Sequence, residues 1–331
     1  MRKNNKSTYL ILALISLIIF NLGSAAIQLS RSNIQSFDLK KIKIKDLVLE
    51  VFNLAPENRT NILRKNGEII DEEDEGTGYI KDFIIIDRIE EYEDLIIVRD
   101  STGKGSIENI PEPLNIPKIG FDREKPYIFL YHTHATEGYG PFEDNSYYTT
   151  DNSKNVVNIG NTISKVLEAK GHKVRHETMH HDRPSFNQSY SRSLNTLKKV
   201  KGEEQNLRFF FDIHRDGIER ESPYYESFRA KSKIKIDGVD VATFSMVIGP
   251  NTPNYDQVLA FAKYIKVVSD SLYPGLCKGI IIKPIGKYNL FISDYASLME
   301  IGSNLNTVSE ANECGKLVGE ILDIVIRSIE E

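Results

Sequence analysis

Histidine and acidic side chains accompany three separate apolar runs in this sequence. The runs are YIFLY at residues 127–131, RFFFDI at residues 208–213 and SLMEIG at residues 297–302. The polar residues within these runs or just after them are His132, His134, Glu137, His214, Arg215, Asp216 and Glu300. Imidazole and carboxylate groups bind zinc and transfer protons in hydrolysis. These three segments are therefore the candidates for the chemistry of the protein.

Two histidines and one acid are enough to build a hydrolytic zinc site. Such a site uses three protein ligands and keeps the fourth position for water, whose pKa the metal lowers. His134 and Glu137 stand in an H-x-x-E spacing that suits two ligands in one loop, and His214 can supply the third. Glu300 then remains available as general base. The residues favour a metal-dependent hydrolase.

Each segment also has an alternative interpretation. The stretch HETMHH, residues 176–181, is a second group of histidines that could hold the metal instead. Asp212 and Asp216 could pair with Arg215 in a charged corner, and Glu300 could pair with a lysine. The residues alone leave these alternatives open.

Strands and helices alternate from residue 127 to the end of the sequence. Short apolar runs predict buried strands, and apolar residues at helical spacing predict amphipathic helices. The predicted strands lie at 127–131, 172–177, 207–214, 241–249, 279–284 and 297–302, and the predicted helices at 155–171, 189–200, 254–275 and 307–329. Thr307 and Glu310 have the spacing of a capping box at the start of the last helix.

This alternation predicts an α/β fold with three layers and a mostly parallel sheet. In open parallel sheets, ligands bind beyond the carboxyl ends of the strands. We therefore expect the three polar segments to converge at one edge of the sheet.

The N-terminal segment predicts a membrane anchor. Residues 8–27 contain no charged residue and follow Arg2, Lys3 and Lys6, which predicts a spanning helix with the rest of the chain outside the cytoplasm. The small residues at 24–26 make a cleaved signal peptide the alternative.

The predicted organisation has four parts. They are a transmembrane anchor at residues 1–27, a small module of unknown fold at 28–107, a proline-rich linker at 108–126 and the α/β domain at 127–331. The net charge of −5 predicts no basic surface for nucleic acid. Cys277 and Cys314 are too few for a disulfide framework.

Four blocks of the sequence resemble the stage II sporulation protein P family, part of the wider group of zinc-dependent N-acetylmuramoyl-L-alanine amidases. The blocks are YHTHATEGY, NVVNIGNTISKVLEAKGHKVRHETMHHDRPSFNQSYSRS, FDIHRD and MEIGSNLNT, and they occur in the family's order within residues 125–331. The resemblance implies the zinc amidase fold, which is phosphorylase/hydrolase-like. It also implies a membrane-anchored hydrolase that cuts the amide bond between muramic acid and the stem peptide, and that also cuts peptide cross-links.

The resemblance further implies where and with what the protein works. The substrate would be peptidoglycan, and the protein would act in forespore engulfment, between the mother cell and the forespore. Its partners would be the stage II sporulation proteins D and M.

The resemblance assigns roles to four residues of this sequence. The family's first histidine falls on His132 or His134, of which we favour His134 as the zinc ligand and take His132 as an alternate ligand or a residue that orients the site. His214 matches the second histidine. Glu300 matches the catalytic glutamate, which would take a proton from water and give it to the leaving amine.

The acidic ligand and the oxyanion contact are open choices. We select Glu137 as the acidic zinc ligand, although the wider amidase group points to a residue near Glu143 or Asp151. Arg215 is expected to help stabilise the tetrahedral oxyanion. The wider group's Gly-rich loop before the first histidine is absent from this sequence.

Two other functions fit the same residues. The first is a scaffold of the same fold that binds peptidoglycan without cutting it. The second is a metallocarboxypeptidase, which the H-x-x-E spacing permits and which would need a positive group for the terminal carboxylate.

Overall fold

The computed structural model describes residues 84–92, 110–140 and 146–331. The predicted anchor at residues 8–27 and most of the predicted module at 28–107 lie outside these residues. Within the described part of the chain, no helix combines the length and the apolar character needed to cross a membrane.

A seven-stranded sheet forms the centre of the structure, and a two-stranded sheet accompanies it. The strands are β1 Ile84–Ile86, β2 Ile128–Tyr131, β3 Val174–His176, β4 Phe209–Asp216, β5 Lys233–Ile236, β6 Val239–Ala242, β7 Phe244–Ile248, β8 Cys277–Ile282 and β9 Tyr295–Ser303. The large sheet has the order β1-β8-β7-β9-β4-β2-β3, and β5 pairs with β6. Its neighbours are parallel except for the antiparallel pairs β1–β8 and β7–β9. The prediction of a mixed α/β fold with a mostly parallel sheet is confirmed.

Two of the five α-helices in the described part have a capping side chain at their first turn. The five helices are α1 Val156–Ala169, α2 Ser189–Glu203, α3 Tyr225–Lys231, α4 Tyr255–Leu272 and α5 Val308–Ile329. The side chain of Asn155 accepts a hydrogen bond from the N–H of Val157 and so caps α1. Thr307 and Glu310 form the predicted capping box at the start of α5.

Helices α1 and α5 approach each other closely because α5 presents two glycines. A Cβ atom on Gly319 would lie 2.8 Å from the side chain of Val166, and one on Gly315 would lie 3.0 Å from that of Ile159. Larger residues would push the helices apart, since protein interiors are close-packed. The N–H of Val156, the first residue of α1, donates to the carbonyl of Glu137. The packing of α1 therefore also positions the loop that follows β2.

Helices cover both faces of the large sheet at β4. Phe211 contacts Phe261 of α4, with ring centroids 6.2 Å apart. The neighbouring Phe210 points to the opposite face, where the ammonium of Lys201 from α2 lies 5.8 Å from its ring. Burial of each phenylalanine stabilises the fold by about 1.5–3 kcal/mol.

The segment before β2 lies against this domain. Residues 110–126 contain no helix and no extended strand. The hydroxyls of Tyr264 and Tyr295 donate to the carbonyls of Pro111 and Pro117, at 3.1 Å and 2.8 Å. Both β1 and this segment precede residue 127, and both contact the large sheet or its helices.

Candidate functional site

Strand register brings the predicted residues together at one edge of the sheet. β4 and β9 are parallel, and His214 lies directly opposite Glu300. β2 is parallel to β4, with Tyr131 opposite Asp212, so the loop that starts at His132 leaves the sheet at the same edge. Side chains of directly opposed residues project from the same face. The expected convergence of the three segments is present.

His134, Glu137 and His214 form a buried cluster at this edge. The rings of His134 and His214 have centroids 5.1 Å apart. Nδ1 of His214 lies 3.5 Å from Oε2 of Glu137, which also accepts the backbone N–H of Arg215 at 2.9 Å. All three residues of the cluster are at most 9% exposed. Two separate segments thus supply adjacent nitrogen and oxygen donors.

Asp212 orients the His214 ring from the side away from Glu137. Oδ1 of Asp212 lies 3.0 Å from Nε2 of His214, and the carboxylate also accepts the N–H and the hydroxyl of Thr133. The Asp212 carboxylate and the His214 ring are at ion-pair distance, although Nε2 of His214 makes no well-aligned hydrogen bond with a described residue. With Asp212 beside Nε2, the other ring nitrogen, Nδ1, faces Glu137. The sequence analysis considered Asp212 only as a partner of Arg215. Its position two residues before His214, on the same face of β4, is the signal that could have identified it.

Glu300 carries a proton more readily than an ordinary glutamate. Burial raises the pKa of Glu300 to about 8, and the nearby charge of Glu137 adds to this rise. Among the residues that the structure describes, none donates a hydrogen bond to its Oε2 atom. A carboxyl group in this environment can exchange a proton near neutral pH.

The charges within the cluster differ from residue to residue. Burial lowers the pKa of His134 to about 4, and His214 lowers it further, so this imidazole is neutral. Burial alone would raise the pKa of Glu137. The positive charges of His214 and Arg215 have the larger effect, so the pKa of this carboxyl is below its usual value. Burial likewise opposes the charge of His214, yet Asp212 and Glu137 raise its pKa.

The donor set of the cluster matches zinc, but its present geometry is incomplete. Among the residues described, no three or more His, Cys, Asp or Glu side chains are arranged to hold a metal ion. The His214 Nδ1 and Glu137 Oε2 atoms, 3.5 Å apart, do have a suitable spacing. Two donors that are each about 2.0–2.2 Å from a tetrahedral zinc are about 3.3–3.6 Å apart. The spacing of His214 Nδ1 and Glu137 Oε2 therefore suits zinc. For His134 to be the third ligand, its ring would have to turn towards these two atoms.

His132 has a different environment from His134. Its Nδ1 atom lies 2.9 Å from the carbonyl oxygen of Ile213, and its Nε2 atom lies 2.8 Å from Nε2 of His176. Burial lowers the pKa of His132 to about 3, and His176 adds to this effect. Both ring nitrogens of His132 are thus engaged away from Glu137.

The histidines of the HETMHH stretch contact residues outside the His134, Glu137 and His214 cluster. His176 contacts His132, and His180 lies 2.7 Å from the side-chain oxygen of Asn152. Nδ1 of His181 lies 2.8 Å from the carbonyl oxygen of His132, and its Nε2 atom contacts Thr196. This arrangement braces the loop after β2.

The alternative acidic ligand that the structure describes, Asp151, lies away from the cluster. Asp151 accepts hydrogen bonds from the N–H and hydroxyl of Ser153 and pairs with Lys154 in the exposed turn before α1. Glu143 lies outside the described residues. Of the candidates that the structure describes, Glu137 is the one beside His214.

Arg215 holds the loop that contains Glu137. Its guanidinium donates to the carbonyls of Gly138, Tyr147 and Asp216 at 2.9–3.2 Å, and it lies 5.3 Å from the ring centroid of Tyr148. The side chain is buried. These contacts tie the loop after β2 to the end of β4.

The fold and the site together define a class of protein. It is a mixed α/β protein in which a buried cluster of histidine and carboxylate side chains lies at the carboxyl edge of a mostly parallel sheet. Residues 56–323 match the Stage II sporulation protein P family, and the chain belongs to this family. The family predicted from the four sequence blocks is confirmed.

Two known proteins are similar to this chain. Stage II sporulation protein P of Bacillus subtilis (strain 168) is 25% identical over 211 residues, which cover 60% of this chain and 50% of that protein. The chain thus matches about half the length of this relative. An N-acetylmuramyl-L-alanine amidase from Mycobacterium smegmatis, known from a crystal structure, is 13% identical with a TM-score of 0.35; the match covers 62% of this chain and 96% of that chain.

Proposed function

We propose that this protein is a peptidoglycan hydrolase of sporulation, a zinc-dependent N-acetylmuramoyl-L-alanine amidase that also cuts peptide cross-links. One observation carries the proposal: Glu300 lies directly opposite His214 across two parallel strands, and His214 faces the Glu137 carboxylate. A carboxyl group that can exchange a proton near neutral pH thus lies beside a set of zinc-type donors. Membership in the Stage II sporulation protein P family supports this function.

In this proposal, His134, Glu137 and His214 hold the metal. Zinc bound there would supply an activated water and a polarised substrate carbonyl. Asp212 lies beside Nε2 of His214, so that Nδ1 faces Glu137 and would lose its proton when zinc binds. Glu300 takes the proton of the attacking water and gives it to the leaving amine, a role that its raised pKa suits.

Arg215 has a positioning role in the proposed site. Its guanidinium donates to three backbone carbonyls, and its backbone N–H donates to Glu137. Arg215 is therefore proposed to hold Glu137 and its loop beside His214, and not to contact the oxyanion. The same contacts weaken the carboxypeptidase alternative, because this cation is directed at the protein backbone and not at a substrate carboxylate.

The proposed setting is the outer face of the cell membrane. Residues 8–27 would anchor the protein, with the α/β domain outside the cytoplasm, between the mother cell and the forespore. The proposed partners during engulfment are the stage II sporulation proteins D and M. These proposals rest on the charge pattern of the N-terminal segment and on the family.

Release of stem peptides from purified peptidoglycan tests the proposal. We expect the full chain to release them, a chelator to abolish release and added Zn²⁺ to restore it. Products with a new free lactyl carboxylate on muramic acid would identify the amidase bond, and capped peptide ends would exclude carboxypeptidase action. Full activity after removal of all metal would contradict zinc dependence. Binding without any release would favour the scaffold.

A further inference from the structure

Four aromatic side chains form a row with the ring of His134. Centroid distances along this aromatic row are 6.3 Å from Tyr148 to Phe186, 4.1 Å from Phe186 to His134, 5.5 Å from His134 to Tyr190 and 5.6 Å from Tyr190 to Tyr288. The four residues come from three separate segments of the chain. The sequence analysis missed them because only tertiary contacts bring them together.

The two ends of the aromatic row are held in defined positions. The backbone of Tyr148 pairs with that of Glu137, and the guanidinium of Arg215 lies over its ring. At the other end, Tyr288 and Asn289 both have left-handed backbones, with φ of 49° and 54°. Such conformations are uncommon for residues other than glycine and are kept where the surrounding structure enforces them.

Asn289 ties the Tyr288 end to helix α2. Its side-chain amide donates to the carbonyl of Tyr190 at 2.9 Å and to the hydroxyl of Ser193 at 3.0 Å. The left-handed turn at Tyr288 and Asn289 therefore holds the Tyr288 ring against the Tyr190 ring. Tyr148 is 51% exposed, and the other three aromatic residues are partly exposed. The row is thus both rigidly held and open to a ligand.

We propose that the aromatic row binds the glycan strand of peptidoglycan and so makes the protein specific for long strands. The inference rests on the proposed amidase function, because it places the sugar side of the scissile amide next to His134. Sugar rings present apolar C–H faces that pack on aromatic rings, whose large apolar surfaces dominate such interfaces.

The chemistry of the row favours the glycan over the stem peptide. Stem peptides carry free carboxylates, which require cations or several hydrogen-bond donors. The four aromatic side chains are uncharged, and the Arg215 guanidinium beside Tyr148 donates to backbone carbonyls. An uncharged aromatic surface suits the uncharged faces of N-acetylated sugars.

Two substrates with the same scissile amide test the proposal. One is a set of glycan strands that carry uncross-linked stem peptides, and the other is a single N-acetylmuramoyl peptide. We expect Tyr148→Ala and Tyr288→Ala each to raise KM for the strands roughly three- to tenfold. Tyr288→Ala should leave kcat and the KM for the single-sugar substrate little changed, and it is the decisive variant because Tyr148 also contacts Arg215. Tyr148→Phe and Tyr288→Phe should keep the strand preference, because they keep the ring.

A matched control and a binding measurement complete the experiment. Tyr224→Ala removes a tyrosine that is 69% exposed at the start of α3 and should change neither KM. An equal rise of KM for both substrates, or no rise for the strands, would overturn the glycan assignment. If the unmodified protein cleaves neither substrate, the amidase proposal fails. The glycan assignment is then decided by co-sedimentation with peptide-free glycan, which the two alanine variants must weaken.

Discussion

Nε2 of the fully buried His132 lies 2.8 Å from Nε2 of the partly buried His176. Nδ1 of His132 faces the carbonyl oxygen of Ile213, so this nitrogen carries the proton. Nε2 of His132 then presents its lone pair to His176, whose Nδ1 lies 3.1 Å from the side-chain oxygen of Asn161. The Ile213 carbonyl fixes the tautomer of His132 and attaches the ring to the residue that precedes His214.

This relationship separates the roles of the two histidines after β2. We expect His134→Ala to lose zinc. His132→Ala should keep zinc but lose activity about 10–100-fold, as is typical when a residue that orients a ligand is removed. Elemental analysis of both purified variants, together with the stem-peptide assay, checks this. Unchanged zinc in His134→Ala would move the ligand to His132.

Asp212→Asn should weaken zinc binding about 10–100-fold without unfolding the protein. The amide would present its N–H₂ group to Nε2 of His214, which favours a proton on Nδ1 and blocks the nitrogen that faces Glu137. Competition with a chromophoric chelator measures the affinity. Asp216→Asn is the matched control, because Asp216 lies on the same strand and contacts Lys278 and the N–H of Gly217. Equal affinities of the two variants would contradict the orienting role.

Glu300→Gln should retain zinc and lose turnover by about 10²–10⁴-fold, because glutamine cannot accept the proton of the attacking water. The side chains are nearly the same size, so the fold should be unaffected. Zinc content and kcat are measured on the same preparation. Loss of zinc in this variant would make Glu300 a ligand and not the base.

Gly160→Ala should destabilise the protein by about 1–3 kcal/mol. Its Cβ atom would lie 2.6 Å from Nε2 of His176 and 2.8 Å from Nε2 of His132. The control is Gly202→Ala near the end of α2, where a Cβ meets nothing within 4 Å and alanine favours the helix by about 0.5–1 kcal/mol. Urea denaturation compares the two variants. A neutral effect at residue 160 would show that the histidine pair can move aside.

The stability of the protein should fall in mild acid partly because of His172. Its ring lies between the hydroxyl of Tyr127 and the carboxylate of Asp323, and burial lowers the pKa of His172 although Asp323 opposes this. Below about pH 6.5 the unfolded chain binds a proton that the folded protein does not, so the free energy of unfolding decreases. His172→Gln should therefore lose less stability than the unmodified protein between about pH 7.5 and about pH 5.5. If His172→Gln lost more stability than the unmodified protein over this range, the pKa of His172 would be raised in the folded protein and not lowered.

Local sequence patterns predicted most of the strands and helices after residue 127 and the position of the candidate site, but not α3, β5 or β6. Apolar runs marked strands such as β2 and β4, and Thr307 with Glu310 marked the start of α5, because these signals depend on neighbouring residues. The same patterns placed the polar segments at strand ends, and four blocks indicated the family.

Tertiary structure alone decided which of these residues meet. The contact of Asp212 with His214, the pairing of His132 with His176 and the aromatic row all depend on strand register and on loops that are distant in the sequence. From the sequence, the Arg215 guanidinium could bind a substrate or the protein backbone. The tertiary structure shows that it donates to three backbone carbonyls. The physical reason is that residue type and spacing specify which contacts a side chain can make. The packing of the whole chain selects which one it does make.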